Sequence, residues 1–255
     1  AERAAAEPAP APWSNRPCQA RWLWAKVEHP EPFQFVRFRK TFDLDAPATR
    51  ATAYLTADTF YRLWVNGGLA MHGPARSSAG KVTLDPVDIT AWLRPGRNTL
   101  EVEAMHYSGR FEALGQAPGF LCEVTLLAGG QERTLGTDAS WEAREGLAWS
   151  RQSPKFSFQR TWVEDFDAPR EIGATWHPAV VLGEAGMAPW RQLQLRDVPL
   201  PDPQRVFRPA RVLGVQRGDG FTGELETTRY GPRADWCRRL QTEGIRSEVS
   251  AALNP

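Results

Sequence analysis

The chain has 255 residues, 42% of them hydrophobic, which is enough for a substantial core and long for one ordinary domain, so one main domain with appended segments is expected. Its 31 Lys and Arg against 30 Asp and Glu leave a net charge of +1, which excludes a global basic field for nucleic acid and a global acidic one for cations. Eleven Trp and 21 Pro fit a strand-rich sandwich with aromatic faces exposed in its loops, and three scattered cysteines, Cys18, Cys122 and Cys237, suit free, buried thiols rather than a disulfide framework or metal cluster.

Residues 1–12, AERAAAEPAPAP, lack the charged start and hydrophobic stretch of a signal peptide and read as a disordered leader, with order beginning near Trp13. No apolar run approaches the roughly 18 residues that a membrane-spanning helix needs. The tract ARWLWAKVEHPEPFQFVRFRKTFDLDAP predicts a Trp-rich first strand, a Pro-marked loop, and a second strand with Phe35, Arg37 and Arg39 on one face and Val36, Phe38 and Lys40 on the other. TRATAYLTADTFYRLWVNGGLAMHG gives two more strands. Ala51, Ala53 and Leu55 share one side of the first, and Asn66-Gly67, tolerant of the positive φ angles of a two-residue hairpin turn, closes the second.

A loop, PARSSAGK, leads to a strand expected to end at Asp85-Pro86. Asp88 is placed to cap a single helical turn over Ile89 to Leu93, Pro95-Gly96 turns the chain, and Asn98 to Tyr107 returns as a strand. Two alternating strands joined across Gly129-Gly130 follow, and no long helical period occurs between residues 13 and 200. Short strands without helices imply antiparallel sheets packed as a sandwich or jelly roll. Beyond Trp162 the sequence is irregular and Pro-marked, and PRADWCRRLQTEG near the end reads as one short amphipathic helix.

Glycosidases flank the scissile bond with two carboxyl groups roughly 5 to 9.5 Å apart, which makes Glu101/Glu103, Glu142/Glu145 and Asp165/Asp167 the pairs to weigh. Glu101 and Glu103 sit at period two opposite Leu100 and Val102, the pattern of a solvated sheet face, and Asp165/Asp167 offers only loop oxygens of the kind calcium takes. His29, His72, His106 and His177 lack zinc-ligand spacing, and neither a nucleophile elbow nor a phosphate loop occurs. His106-Tyr107, at a strand end, pairs a hydrogen-bonding ring with an aromatic plate, a combination that suits a sugar hydroxyl and a sugar face but equally a packed structural pair.

At RFRKTFDL, LTADTFYRLWVNGGLAMHGPAR, DPVDITAWLRPGRNTLEVEAMHYSG and PGFLCEVTL, and on through TDASWEARE, EDFDAPREIGATWHPAVVLG and LQLRDVPLP, the chain resembles the N-terminal β-sandwich module of bacterial α-L-rhamnosidases of glycoside hydrolase family 78. The shorter theme VNG, then DIT, L and G-x-N, is shared with the sugar-binding jelly roll of family 2 glycosidases. The likeness covers about residues 20–212 and implies an all-β, antiparallel, galactose-binding-like jelly-roll sandwich; with order beginning near Trp13, the module is expected over residues 13–212, followed by a linker and the short helix in 213–255. It implies an accessory module, related in some members to rhamnose-binding modules that use Ca2+, although no calcium ligand maps residue by residue.

In that family the catalytic carboxylates lie in a later (α/α)6 barrel, which this sequence does not supply, so hydrolysis by the chain alone is not expected. The implied partners are rhamnosyl glycans and a catalytic domain of the same parent protein, not nucleic acid or membrane, in a secreted or periplasmic setting with a cytoplasmic one as the alternative. By position, Asp58 is expected to accept sugar hydroxyls, Arg62 and Arg76 to donate, His106 to hydrogen-bond and Tyr107 to stack. Two rivals remain open: a purely structural module, which predicts an exposed apolar patch, and an enzyme using Asp165, Asp167 or Glu142.

Overall fold

Alternation decides which face each strand buries. The computed structural model describes residues 17–26, 33–78, 80–107, 117–150, 155–157, 160–162 and 164–203, so the leader, Trp13, Cys237 and the predicted late helix lie outside the described residues. Its strands are β1 Arg21–Trp24, β2 Phe33–Leu44, β3 Ala48–Asp58, β4 Phe60–Val65, β5 Gly68–Gly73, β6 Lys81–Asp88, β7 Gly96–Tyr107, β8 Gly119–Ala128, β9 Gln131–Gly136, β10 Glu142–Glu145, β11 Lys155–Ser157, β12 Arg160–Trp162, β13 His177–Pro178, β14 Val180–Glu184 and β15 Gln192–Leu195. Two compact units divide the chain. Ala1–Arg151 with Phe166–Gln204 carries the sandwich, and Gln152–Asp165 with Arg205–Pro255 includes an antiparallel ribbon of β11 and β12.

One sheet of the sandwich runs β14-β1-β8-β3-β6-β15, with β9 also on β8, and the other runs β13-β10-β2-β7-β4-β5. The pairings are antiparallel except at one edge, where β15 lies parallel to β6. The fold is the expected all-β, jelly-roll-like sandwich. Between the sheets, Val36 and Phe38 meet Leu63, Val65, Leu100, Val102, Ala53, Leu55, Phe120 and Trp141, all buried. Each such large side chain contributes about 1.5–3 kcal/mol on burial.

Several expectations need correction. Most of the described tryptophans serve the core rather than exposed loop faces: Trp22, Trp24, Trp141, Trp149 and Trp190 are buried. Strand β6 does not stop at Asp85-Pro86 but continues to Asp88. Its neighbour β15 pairs only as far as Leu84, so Pro86 sits where one side of the strand has no ladder partner and its missing N–H costs nothing.

Asn66-Gly67 forms the hairpin turn between β4 and β5, with φ of 50° and 84° at its two residues. The Asn66 side chain also ties three elements together: Nδ2 donates to the Trp92 carbonyl at 2.8 Å and to Asn98 Oδ1 at 2.9 Å, and Oδ1 accepts from the Thr99 N–H at 2.9 Å. Asp88 Oδ1 accepts from the Thr90 N–H at 2.9 Å as the chain enters a short 3-10 turn at Thr90–Trp92, whose N-cap is Ile89 rather than the expected Asp88.

Candidate functional site

Three of the five residues expected to touch a sugar come together as a buried knot. Asp58 ends β3, His106 and Tyr107 end β7, and their exposures are 6%, 3% and 1%. Trp190 Nε1 donates to Asp58 Oδ2 at 3.1 Å, and His106 Nδ1 lies 3.3 Å from Asp58 Oδ1 and 3.2 Å from the Asp58 carbonyl oxygen. Trp190 in turn stacks on Trp22 with centroids 4.1 Å apart. The Tyr107 ring, expected to stack on a sugar, instead packs edge-on to Phe60 at 5.8 Å inside the fold. Arg62 lies apart, in the middle of β4, and Arg76 is exposed in the loop after β5, its carbonyl accepting from Thr83 Oγ1 at 3.2 Å.

A second constellation covers the outer face of the six-stranded sheet, where cross-strand register sets two rows. Glu142, Arg39, Glu101 and Trp64 line up across β10, β2, β7 and β4; beside them run Arg144, Arg37, Glu103, Arg62 and, on β5, His72. Glu101 and Glu103 do share one face, but Glu103 is not solvated. It is 3% exposed and held by Arg37 Nε at 3.2 Å, Arg62 Nη1 at 3.0 Å and Trp149 Nε1 at 3.1 Å. A buried carboxylate with three donors is compensated, whereas removing those donors would leave a costly buried charge.

The neighbouring row is differently arranged. Arg39 turns away from Glu101 to pair with Glu142 at 2.9 Å, and its guanidinium lies 4.3 Å from the centre of the Trp176 ring, which also receives Arg144 at 4.9 Å. The Glu101 side chain, half-buried, has no hydrogen-bond or ion-pair partner among the described residues. Glu101, Trp64, Trp176, Arg37 and Gly67 line an open hollow of about 280 Å³. Free carboxylate oxygens accept from hydroxyls, a guanidinium donates, and indole faces pack on C–H surfaces, so the hollow offers polyol chemistry.

Alternation alone places Arg37, Arg39, Glu101 and Glu103 outward, but two members of this site were missed. The sequence marks Trp64 only as part of a strand, and Trp176 arrives from the irregular stretch that carries no period. Of the other carboxylates weighed, Glu142 is engaged by Arg39, Asp167 is exposed and pairs with Arg170 at 3.2 Å, and Asp165 is exposed.

No family model matches the chain. A glycoside hydrolase family 78 rhamnosidase of Bacillus sp. GL1 superimposes with a TM-score of 0.64 at 32% identity, over 72% of this chain and 20% of that one. An α-L-rhamnosidase of Streptomyces avermitilis is 28% identical over 188 residues, which is 71% of this chain and 16% of the relative. Over about seven tenths of its length the chain is similar to family 78 α-L-rhamnosidases. An α-L-rhamnosidase from Dictyoglumus thermophilum, 20% identical over 71% of this chain with a TM-score of 0.56, shares the fold. The chain thus spans about a fifth or less of the length of the rhamnosidases it matches.

Within this rhamnosidase-like sandwich the theme VNG, DIT and G-x-N is structural, since Asn66, Asp88 and Asn98 spend their side chains on turns. Calcium, implied for some rhamnose-binding modules, finds no ready set of ligands: among the described residues no three His, Cys, Asp or Glu side chains cluster as a metal ion needs.

Proposed function

We propose that this chain is a carbohydrate-binding accessory module of an α-L-rhamnosidase-like glycoside hydrolase, holding rhamnose-containing glycans while another part of the parent protein hydrolyses them. The observation that carries the reading is the superposition of the sandwich on a family 78 rhamnosidase at 32% identity over 72% of the chain. The outer sheet face supports binding over hydrolysis. Acid–base cleavage asks for two available carboxyl groups, whereas on this face Glu103 and Glu142 are both occupied by arginines and, among the described residues, Glu101 is the one carboxylate left without a partner.

Calorimetric titration of the 255-residue chain with L-rhamnose and rhamnose-containing oligosaccharides, alongside an aryl rhamnoside assay, tests the proposal. Saturable heat without aryl release is expected. Turnover of the aryl rhamnoside would contradict it, as would the absence of heat with every sugar from a chain shown to be folded by circular dichroism.

A second reading, a scaffold packed on a catalytic barrel, draws on one observation. Leu147, Phe166 and Ile172 are 45%, 47% and 84% exposed on two segments joined by the Asp167 N–H to Ala148 carbonyl bond at 2.8 Å. Clustered apolar exposure of this kind marks contact surfaces. Failure of all sugars to bind would favour it.

A further inference from the structure

We infer that the hollow lined by Trp64 and Trp176 holds a single neutral pyranose ring, with Glu101 as its principal hydrogen-bond acceptor and the Trp64 indole as its apolar wall. The inference rests on the carbohydrate-binding reading and gives it a place on the molecule.

Glu101 differs from every carboxylate beside it. Glu103 satisfies Arg37, Arg62 and Trp149, and Glu142 satisfies Arg39. Arg39 is the register partner of Glu101 across β2 and β7, yet its guanidinium is committed to Glu142 and the Trp176 ring. Among the described residues nothing engages the Glu101 carboxylate, which leaves both oxygens in a half-buried setting where a carboxylate gains from hydroxyl donors. Its other register partner, Trp64, stands directly beside it on β4 and lines the same hollow.

Size and charge narrow the ligand. The hollow, about 280 Å³, falls just under the roughly 300–1,000 Å³ of sites that take drug-sized ligands, so one ring fits it and a longer saccharide must run out along the sheet. Arg37 and Arg62 both engage Glu103, so among the described residues Glu101 is the carboxylate of the lining without an ion-pair partner. A uronate would meet that charge with its own. A neutral sugar donates hydroxyls to it, and an apolar edge such as the methyl group of a 6-deoxy sugar has an indole to pack on.

The test is calorimetric titration of the full chain with methyl α-L-rhamnopyranoside and, separately, with D-galacturonate, for the native sequence and for Glu101→Gln, Trp64→Ala and Arg50→Ala. Glu101 has no described protein partner, so Glu101→Gln should fold normally, with circular dichroism as the check. The rhamnoside should bind the native chain, and Glu101→Gln and Trp64→Ala should each weaken it about tenfold or more. Arg50→Ala, on the other sheet, should leave it unchanged. Galacturonate should bind more weakly than the rhamnoside, with the gap narrowing in Glu101→Gln. Rhamnoside binding that both site variants leave intact would overturn this site while the carbohydrate-binding reading stands. No binding of any sugar to the folded native chain would overturn both.

Discussion

Replacing Asn98 with Ala should cost the fold about 2–4 kcal/mol without touching sugar affinity. Asn98 is fully buried. Its Nδ2 donates to the carbonyls of Arg94 at 2.7 Å and Gly96 at 2.9 Å, and its Oδ1 accepts from the Arg94 N–H at 3.0 Å and Asn66 Nδ2 at 2.9 Å. Four bonds are lost. Arg94 and Gly96 are exposed, so water re-satisfies their backbone groups and each of those bonds counts for only about 0.5–1 kcal/mol. The Asn66 amide loses its inward partner and the Asn98 site becomes a small void, which brings the total to the stated range. For a protein of this size that lowers Tm by roughly 5–15 °C. Urea unfolding at neutral pH, read with an unchanged m value, measures it. A loss below about 0.5 kcal/mol would refute the assignment of Asn98 as the tie between hairpin, 3-10 turn and β7. So would a loss of sugar affinity at unchanged stability, because it would make the G-x-N asparagine a ligand contact.

Two further outcomes follow from the buried side of the sandwich. Tyr61 donates to Asp85 Oδ2 at 2.6 Å, and burial first, then the Asp85 charge and that hydrogen bond, push its phenol well above the ordinary value of 10.0. A raised folded-state value stabilises fully below pH 10 and is lost as pH climbs beyond it, so urea melts should show stability declining above pH 10 and Tyr61→Phe should flatten that decline. At pH 8 the same variant should be less stable by about 1.5–3 kcal/mol, and a variant as stable as the native chain at both pH values would contradict this. The Cys122 thiol is fully buried, and burial, followed by Glu123 and Cys18, holds it protonated far above the usual range. A disulfide reagent at pH 8, with peptide mapping, should modify Cys122 only as fast as the chain unfolds; rapid modification without denaturant would show the sandwich to be open there.

Period-two alternation made the fold class legible, because β4 buries alternate residues throughout and β7 does so from Asn98 to Val102, whereas β8 is buried on both faces from Gly119 to Val124, and the Asn-Gly turn announced itself by chemistry. The sites were less legible because they depend on pairings far apart in sequence. His106 and Tyr107 fall at a strand end as their place in the sequence predicts, and Asp58 ends β3. What the chain could not reveal is that Trp190, 132 residues from Asp58, closes over that carboxylate and makes the cluster part of the interior. Glu101 and Glu103 looked equivalent in sequence. The register of β2 and β4 on β7 separates them, giving Glu103 two arginines and giving Glu101 a tryptophan on one side and a committed arginine on the other. Trp176 arrives from a stretch with no periodic signal, so its place over Arg39 and Arg144 had no local trace.

Indole N–H spectra of the chain labelled with 15N-tryptophan, titrated with methyl α-L-rhamnopyranoside, test the carbohydrate-binding account most directly. The account predicts saturable shifts of the Trp64 and Trp176 signals, assigned by substitution, with the buried Trp22 and Trp190 signals unmoved. Saturating sugar that moves no indole, or that moves Trp190 beside Asp58 while Trp64 stays still, would contradict it.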